Sequence, residues 1–265
     1  MPALSPRLLF CLVLLPSPLL ADPPQKTATP AEKAFQQGQV ALEKDRFEEA
    51  IGHFQVCLRL NPGLAEAQLS LAAAFLALGQ DTEAAAPMQA YLEARPSHFL
   101  VRMPFAEVLT KLERFAEARV QLERYIADVQ DHPHIADEQL IGCHTRLMEL
   151  AIRLGDEFGE RLHRGIGLYL LAIKREELGG ESRRLAEELY CKAAGELTLA
   201  RLEKPLEAQP CYYLRDVWRK LGQQQPAERC YREMHQRIGT SFLTPAETRM
   251  VHLADHLRAC ESRKR

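Results

Sequence analysis

Apolar positions along the chain fall into three regimes. Residues 8–15 form an unbroken apolar run, preceded by one positive charge at Arg7 and followed by Leu19, Leu20 and Ala21 before Asp22. This is the three-part pattern of a secretory signal segment, expected over 1–21 with a small-residue cleavage site at Ala21. Eight residues fall far short of the ~20 that a membrane-spanning helix needs, and no second run comes near that length, so no span is expected in the mature chain. Residues 22–30, DPPQKTATP, are polar and proline-rich and read as a linker. From Ala31 onward the apolar residues recur at helical spacing, broken at regular intervals.

Those intervals repeat. Gly38, Ala50, Phe54 and Pro62 are matched 34 residues later by Ala72, Ala84, Met88 and Pro96. A further 34 residues on stand Ala106, Ala118 and Leu122, with no proline until Pro133. A fixed period of this length points to stacked helix pairs. Two antiparallel helices approach closely only where both carry small side chains, so Gly38 is expected to face Ala50, Ala72 to face Ala84, and Ala106 to face Ala118. Phe54, Met88 and Leu122 then fill the wedge against the next pair, since one pair cannot bury its own apolar face. The proline ends each second helix, because the residue before it is pushed out of the helical region.

The second half predicts longer helices, over 135–154, 157–178 and 181–203, separated at Gly155-Asp156 and Gly179-Gly180. Gly159, Gly165 and Gly167 lie inside the second, each costing about 1 kcal/mol relative to alanine, which is tolerable where another helix crosses at close range. Beside them IGLYLLAI, 166–173, is apolar all round, the pattern of a core helix. The repeat pattern resumes with Ala193, Leu197, Ala200 and Pro205. Counting on from that proline starts another unit at Ala208, containing Trp218, Leu221-Gly222 and Ala227. A last helix is expected over 245–260, with Thr244 as cap and Pro245 in the first turn. Its expected buried face is Met250, Leu253 and Leu257.

With small residues at positions 8 and 20 and a proline at position 32, the 34-residue unit resembles the tetratricopeptide repeat. The resemblance implies an all-α fold, a right-handed α-solenoid of helix hairpins with three units over 31–132. A degenerate helical continuation would follow over 133–262, ending in a capping helix, with a basic tail at 263–265. It also implies a protein-binding scaffold, whose first helices line a concave groove through positions 2, 5, 9, 12 and 13. In this sequence those positions hold Glu32, Phe35, Gln39, Leu42 and Glu43, then Glu66, Leu69, Ala73, Leu76 and Ala77, then Leu100, Met103, Glu107, Thr110 and Lys111. Such a groove is apolar with acidic points and suits a peptide or helix segment with apolar anchors and basic neighbours. Family members that grip a terminal carboxylate carry Lys and Asn at positions 5 and 9 of the first unit. Phe35 and Gln39 depart from that pattern and remove the clamp. The alternative is a structural or self-assembling protein whose groove is filled by its own chain or a second copy.

Charge and chemistry narrow the picture further. With 34 Lys+Arg against 36 Asp+Glu, net charge −2, the chain lacks the concentrated basic composition that nucleic-acid binding requires. There is no phosphate loop, dinucleotide fingerprint, zinc-protease motif or nucleophile elbow, and Gly165-Ile166-Gly167 sits in a helical pattern with no strand before it. Cys143 and His144 are helix neighbours pointing about 100° apart, so they make no catalytic pair. The expectation is a non-enzyme without a cofactor. His252, His256 and Cys260, spaced four apart, form a weak metal candidate, although half-exposed flanks of an apolar face are the simpler reading.

Export to the periplasm or the extracellular space gives the seven cysteines a further meaning. Cys11 belongs to the signal segment, and the other six allow 15 pairings. The repeat register places Cys211 at position 4 and Cys230 at position 23 of the last unit, nearly facing across its hairpin, which makes them the disulfide candidate. The plainer reading is two small buried apolar residues. Cys57, at position 27, reads as packing. The partner's identity and the oligomeric state do not follow from the sequence.

Overall fold

The computed structural model describes residues 28–129, 137–237, 243–245 and 247–252. The signal segment, most of the linker, His256, Cys260 and the basic tail lie outside them. Among the described residues the regular structure is helical throughout: α1 (Pro30–Glu43), α2 (Phe47–Leu60), α3 (Ala65–Ala77), α4 (Asp81–Ala94), α5 (Arg102–Lys111), α6 (Phe115–Val129), α7 (Asp137–Leu154), α8 (Glu157–Leu178), α9 (Ser182–Glu203), α10 (Gln209–Lys220) and α11 (Gln224–Arg237). A short 3-10 turn, Phe99–Val101, leads into α5, and residues 247–252 are again helical. None of the described helices is long and apolar enough to cross a membrane.

The chain divides into two compact units, Met1–Gln121 and Leu122–Arg265. Within the second unit the later part of α6 joins α7. Tyr125 donates its hydroxyl proton to Gln139 Oε1 at 2.9 Å, and the Cys143 thiol donates to the Leu122 carbonyl at 3.8 Å.

In the first unit α1 pairs with α2 and α3 with α4, while α2 packs on α3 and α4 on α5. The period is visible in the backbone. Helices α2, α4 and α6 begin at Phe47, Asp81 and Phe115, each 34 residues after the last. The turns before them carry left-handed residues at the same step: Asp45 (φ 55°), Gly79 (φ 71°) and Glu113 (φ 58°). Each turn closes in the same way. Arg46 N–H reaches the Ala41 carbonyl at 2.9 Å, Gln80 N–H that of Phe75 at 2.9 Å, and Arg114 N–H that of Leu109 at 2.8 Å. These bonds satisfy carbonyls that a helix end would otherwise leave unpaired. The small residues expected at the crossings, Gly38, Ala50, Ala72, Ala84, Ala106 and Ala118, are all buried, and so are the wedge residues Phe54, Met88 and Leu122.

In the second unit α7 to α11 pack consecutively, and α8 also touches α10. Ile166, Leu197, Leu214, Met234 and Val251 are fully buried at its centre. A Cβ at Gly165 would lie 2.6 Å from Leu197 Cγ, so α9 crosses α8 at the close range that the glycine permits. Gly167 meets only an ordinary contact, 3.8 Å to His144 Cβ.

Two sequence expectations are corrected. Within IGLYLLAI, Ile166 and Ala172 are buried while Leu168, Tyr169, Leu170, Leu171 and Ile173 are half-buried, so α8 has neighbours on some sides and is not surrounded. Of the last helix's expected face, Leu253 and Leu257 lie outside the described residues, and Met250 is 52% exposed, while among the described residues Glu247 and Val251 are buried. Glu247 is held inward, accepting from Tyr213 Oη at 2.7 Å and Gln209 Nε2 at 3.2 Å. The cap of this helix is as expected: Thr244 Oγ1 accepts from Glu247 N–H at 3.2 Å, and Glu247 Oε2 accepts from Thr244 N–H at 2.8 Å.

Candidate functional site

The predicted groove positions of the first unit have separate fates. Leu42 and Leu69 are only 3% and 4% exposed, so their side chains pack within the chain and offer a partner no contact surface. Ala73 is buried as well. Glu32 is engaged as a helix cap, accepting from Thr29 N–H at 2.6 Å. Glu66 accepts from Arg95 Nη2 at 2.8 Å, and Lys111 Nζ donates to Asp81 Oδ1 at 3.1 Å. Phe35 is half-buried, its ring tilted against Phe54 with centroids 5.8 Å apart. Gln39, Leu76, Met103 and Glu107 are half-exposed, and Leu100 is 41% exposed.

Glu107 stands out among these. Met103 and Glu107 are four residues apart on α5 and therefore share a face. One carboxylate oxygen of Glu107, Oε2, is shielded from solvent and accepts no hydrogen bond from the described residues. Lys111, one turn further on, is directed to Asp81 instead. A shielded carboxylate oxygen without a donor carries a desolvation cost.

Cys211 on α10 and Cys230 on α11 are both buried in the same core. The neighbouring Cys230 thiol and then burial raise the Cys211 pKa, whereas at Cys230 the Cys211 thiol and then Arg201 favour the thiolate. Arg237 Nη1 lies 3.0 Å from Cys211 Sγ, and Glu233 Oε2 lies 3.6 Å from the same sulfur. Glu233 also accepts from Arg201 at 3.2 Å and from Arg237 at 3.3 Å. Cys57 and Cys143 are buried thiols, with Cys143 pushed up to about 12 by burial, and Cys191 is exposed. All five are free thiols in the structure.

Among the described residues no three His, Cys, Asp or Glu side chains are placed to hold a metal ion. Of the weak metal candidate, His252 is exposed, and His256 and Cys260 lie outside the described residues.

Two constellations escaped the sequence reading. His144 on α7 and His163 on α8 meet Nδ1 to Nδ1 at 3.1 Å, with His144 buried and its pKa held well below the usual imidazole value by burial and then by His163. No local pattern announces a pairing across a hairpin between two half-apolar faces. Tyr212 and Tyr213 stack edge to face at 5.0 Å, Tyr169 lies 5.8 Å from Tyr213, and Arg215 caps the Tyr212 ring at 5.4 Å while bonded to Asp216 at 3.0 and 3.1 Å. Here a signal existed: the register that starts the last unit at Ala208 puts Tyr212 and Asp216 at positions 5 and 9.

No protein-family model matches the chain, and no curated protein does. Among solved structures it is similar to a MamA protein, at 13% identity and TM-score 0.42, over 78% of this chain and 91% of that one. It is also similar to PilF of Pseudomonas aeruginosa, at 15% identity and TM-score 0.38 over 78% and 90% of the two chains. A third is YrrB, described as a TPR protein with an unusual peptide-binding site, at 14% identity and TM-score 0.35 over 79% and 87%. The consecutive helix hairpins, the 34-residue backbone period and the small residues buried at the crossings make the fold of this chain tetratricopeptide-like.

Proposed function

We propose that the chain is a non-catalytic protein-interaction scaffold of an exported compartment. It takes a peptide or helix segment whose apolar side chains rest on Leu76, Leu100 and Met103 and whose basic residue pairs with Glu107. The observation that carries this reading is the half-exposed carboxylate side chain of Glu107 on the same helix face as half-exposed Met103. A lysine or arginine from a partner reaches the accessible side of that carboxylate, and charge-assisted bonds of this kind are stronger than neutral ones.

The test is selection from a random peptide library on the full chain. Peptides with a basic residue within one helical turn of a large apolar residue are expected to be enriched, and Glu107→Gln is expected to lose the basic preference while keeping the apolar one. Equal enrichment by wild type and by Met103→Glu would overturn the reading.

A second reading, in which the groove is filled by the chain itself or by a second copy, is favoured by the burial of Leu42 and Leu69. It predicts a molar mass that rises with concentration, or no selectable peptide at all. Export rests on the apolar run at 8–15, and is tested by finding a mature N-terminus at Asp22.

A further inference from the structure

We propose that Cys211 and Cys230 are a modification site, forming an intramolecular disulfide that staples α10 to α11 once the chain meets an oxidising disulfide. The two residues sit on consecutive, packed helices joined through the left-handed turn at Gly222 (φ 72°), and both are buried in the same core. Both are fully enclosed, so a bond formed there is shielded from reductants afterwards. The surroundings argue against the other common use of paired thiols, a metal. Arg237 lies on Cys211 Sγ, and both Arg237 and Arg201 lie on Glu233, so two guanidinium groups occupy the place where a divalent cation would need negative charge.

The chemistry is thiol–disulfide exchange. One cysteine thiolate attacks the oxidant RSSR, whose S–S bond breaks, giving a mixed disulfide and releasing RS⁻. With Cys230 carrying the mixed disulfide, closure of the hairpin brings Cys211 up to its sulfur. Cys211 then loses its proton, for which the Glu233 carboxylate at 3.6 Å is the nearby acceptor, and attacks the Cys230 sulfur. The mixed disulfide breaks and a second RS⁻ leaves. Two cysteines are oxidised, one RSSR is reduced to two RS⁻, and the two protons given up by the cysteines convert these to thiols. Since both sulfurs are enclosed in the packed hairpin, the first attack takes place while α11 is open, during folding or a local unfolding event. The closed bond then restricts the unfolded chain between the two residues.

The experiment uses the wild-type full chain refolded in a buffer of reduced and oxidised glutathione. Free thiols are alkylated under denaturing, non-reducing conditions and the peptides are mapped by mass spectrometry. The expected result is a peptide joining Cys211 to Cys230, lighter by two hydrogens than the reduced pair, with a Tm about 5 °C or more above that of the reduced protein. Alkylation of both residues, or a bond from either to another cysteine, overturns the site. A joined peptide with no rise in Tm overturns the staple. Peptide selection by the groove is measured separately, so either proposal can fail alone.

Discussion

A Cβ placed on Gly38 would lie 2.5 Å from Cε1 of Phe54 and within 3 Å of two more atoms of the same ring. Helix α1 therefore rests directly on the phenylalanine of α2, closer than any side chain permits. The ring is fully buried and packs in one core with Leu71 and Ala74, so it has nowhere to swing. Alanine is the better helix former by about 1 kcal/mol, but overpacking here outweighs it, and Gly38→Ala is expected to destabilise by about 1–3 kcal/mol. Gly52, on α2, is the internal control, since a Cβ there meets nothing within 4 Å. Gly52→Ala is expected to stabilise by up to about 1 kcal/mol. Denaturant melts of the two variants check the pair, and a Gly38→Ala protein as stable as wild type would refute the close approach.

The hairpin turns of the first unit offer a stabilising change. Gly79 fills its left-handed position without strain, whereas Asp45 and Glu113 occupy the equivalent positions with side chains that disfavour it. Glu113→Gly is expected to raise stability by up to about 1 kcal/mol, and Asp45→Gly by less, because aspartate tolerates this region better. The reverse change, Gly79→Ala, is expected to lower the Tm. All three are read by thermal unfolding, and a Glu113→Gly protein that melts lower than wild type would contradict the assignment.

Stability of the second unit depends on pH through His144. Its folded pKa lies below the ordinary imidazole value because burial, and then His163, disfavour the charged ring. The unfolded chain therefore binds more protons in the window below about pH 6.5. The stabilisation is complete above that pH and is lost as pH falls through it. Unfolding midpoints in urea measured at pH 7.5 and pH 5.5 are expected to drop for wild type and to drop less for His144→Gln. Equal drops in the two proteins would remove His144 as the cause.

One tetrapeptide occurs twice, Thr29-Pro30-Ala31-Glu32 and Thr244-Pro245-Ala246-Glu247. Both copies make the same reciprocal cap between threonine and glutamate. Glu32 is exposed, but Glu247 is buried and also accepts from Tyr213 and Gln209. Glu32→Ala is therefore expected to cost about 1 kcal/mol or less and Glu247→Ala about 2–4 kcal/mol, since the second also strands the buried Tyr213 hydroxyl. A double-mutant cycle with Tyr213→Phe measures the extra coupling, and independent effects would show that the two side chains do not support each other.

How much was legible follows from the range of each signal. The 34-residue step, the turn glycines at 79, 155 and 222, the Thr-Pro helix start and both ends of α8 at Glu157 and Leu178 rest on residues within a turn or two of the feature they set. That Cys211 and Cys230 lie on the two helices of one hairpin was legible too, because the register places both within the unit that starts at Ala208. The groove was legible only as a set of positions. Which of them stay open depends on what covers each one, and no local pattern separates buried Leu42 and Leu69 from half-exposed Leu76 and Met103.

By itself, then, the sequence determined the helical character, the cap at Thr244, the repeat period and the pairing of the last hairpin, because short-range backbone sterics and side-chain spacing decide those. Only the tertiary structure decided that Phe54 closes on Gly38, that Val251 is buried where Met250 was expected, that His144 meets His163, and that Glu107 keeps a shielded oxygen without a donor among the described residues. Each of those depends on the rotation and depth at which one helix lies on another, which is set by the summed packing of residues far apart in the chain.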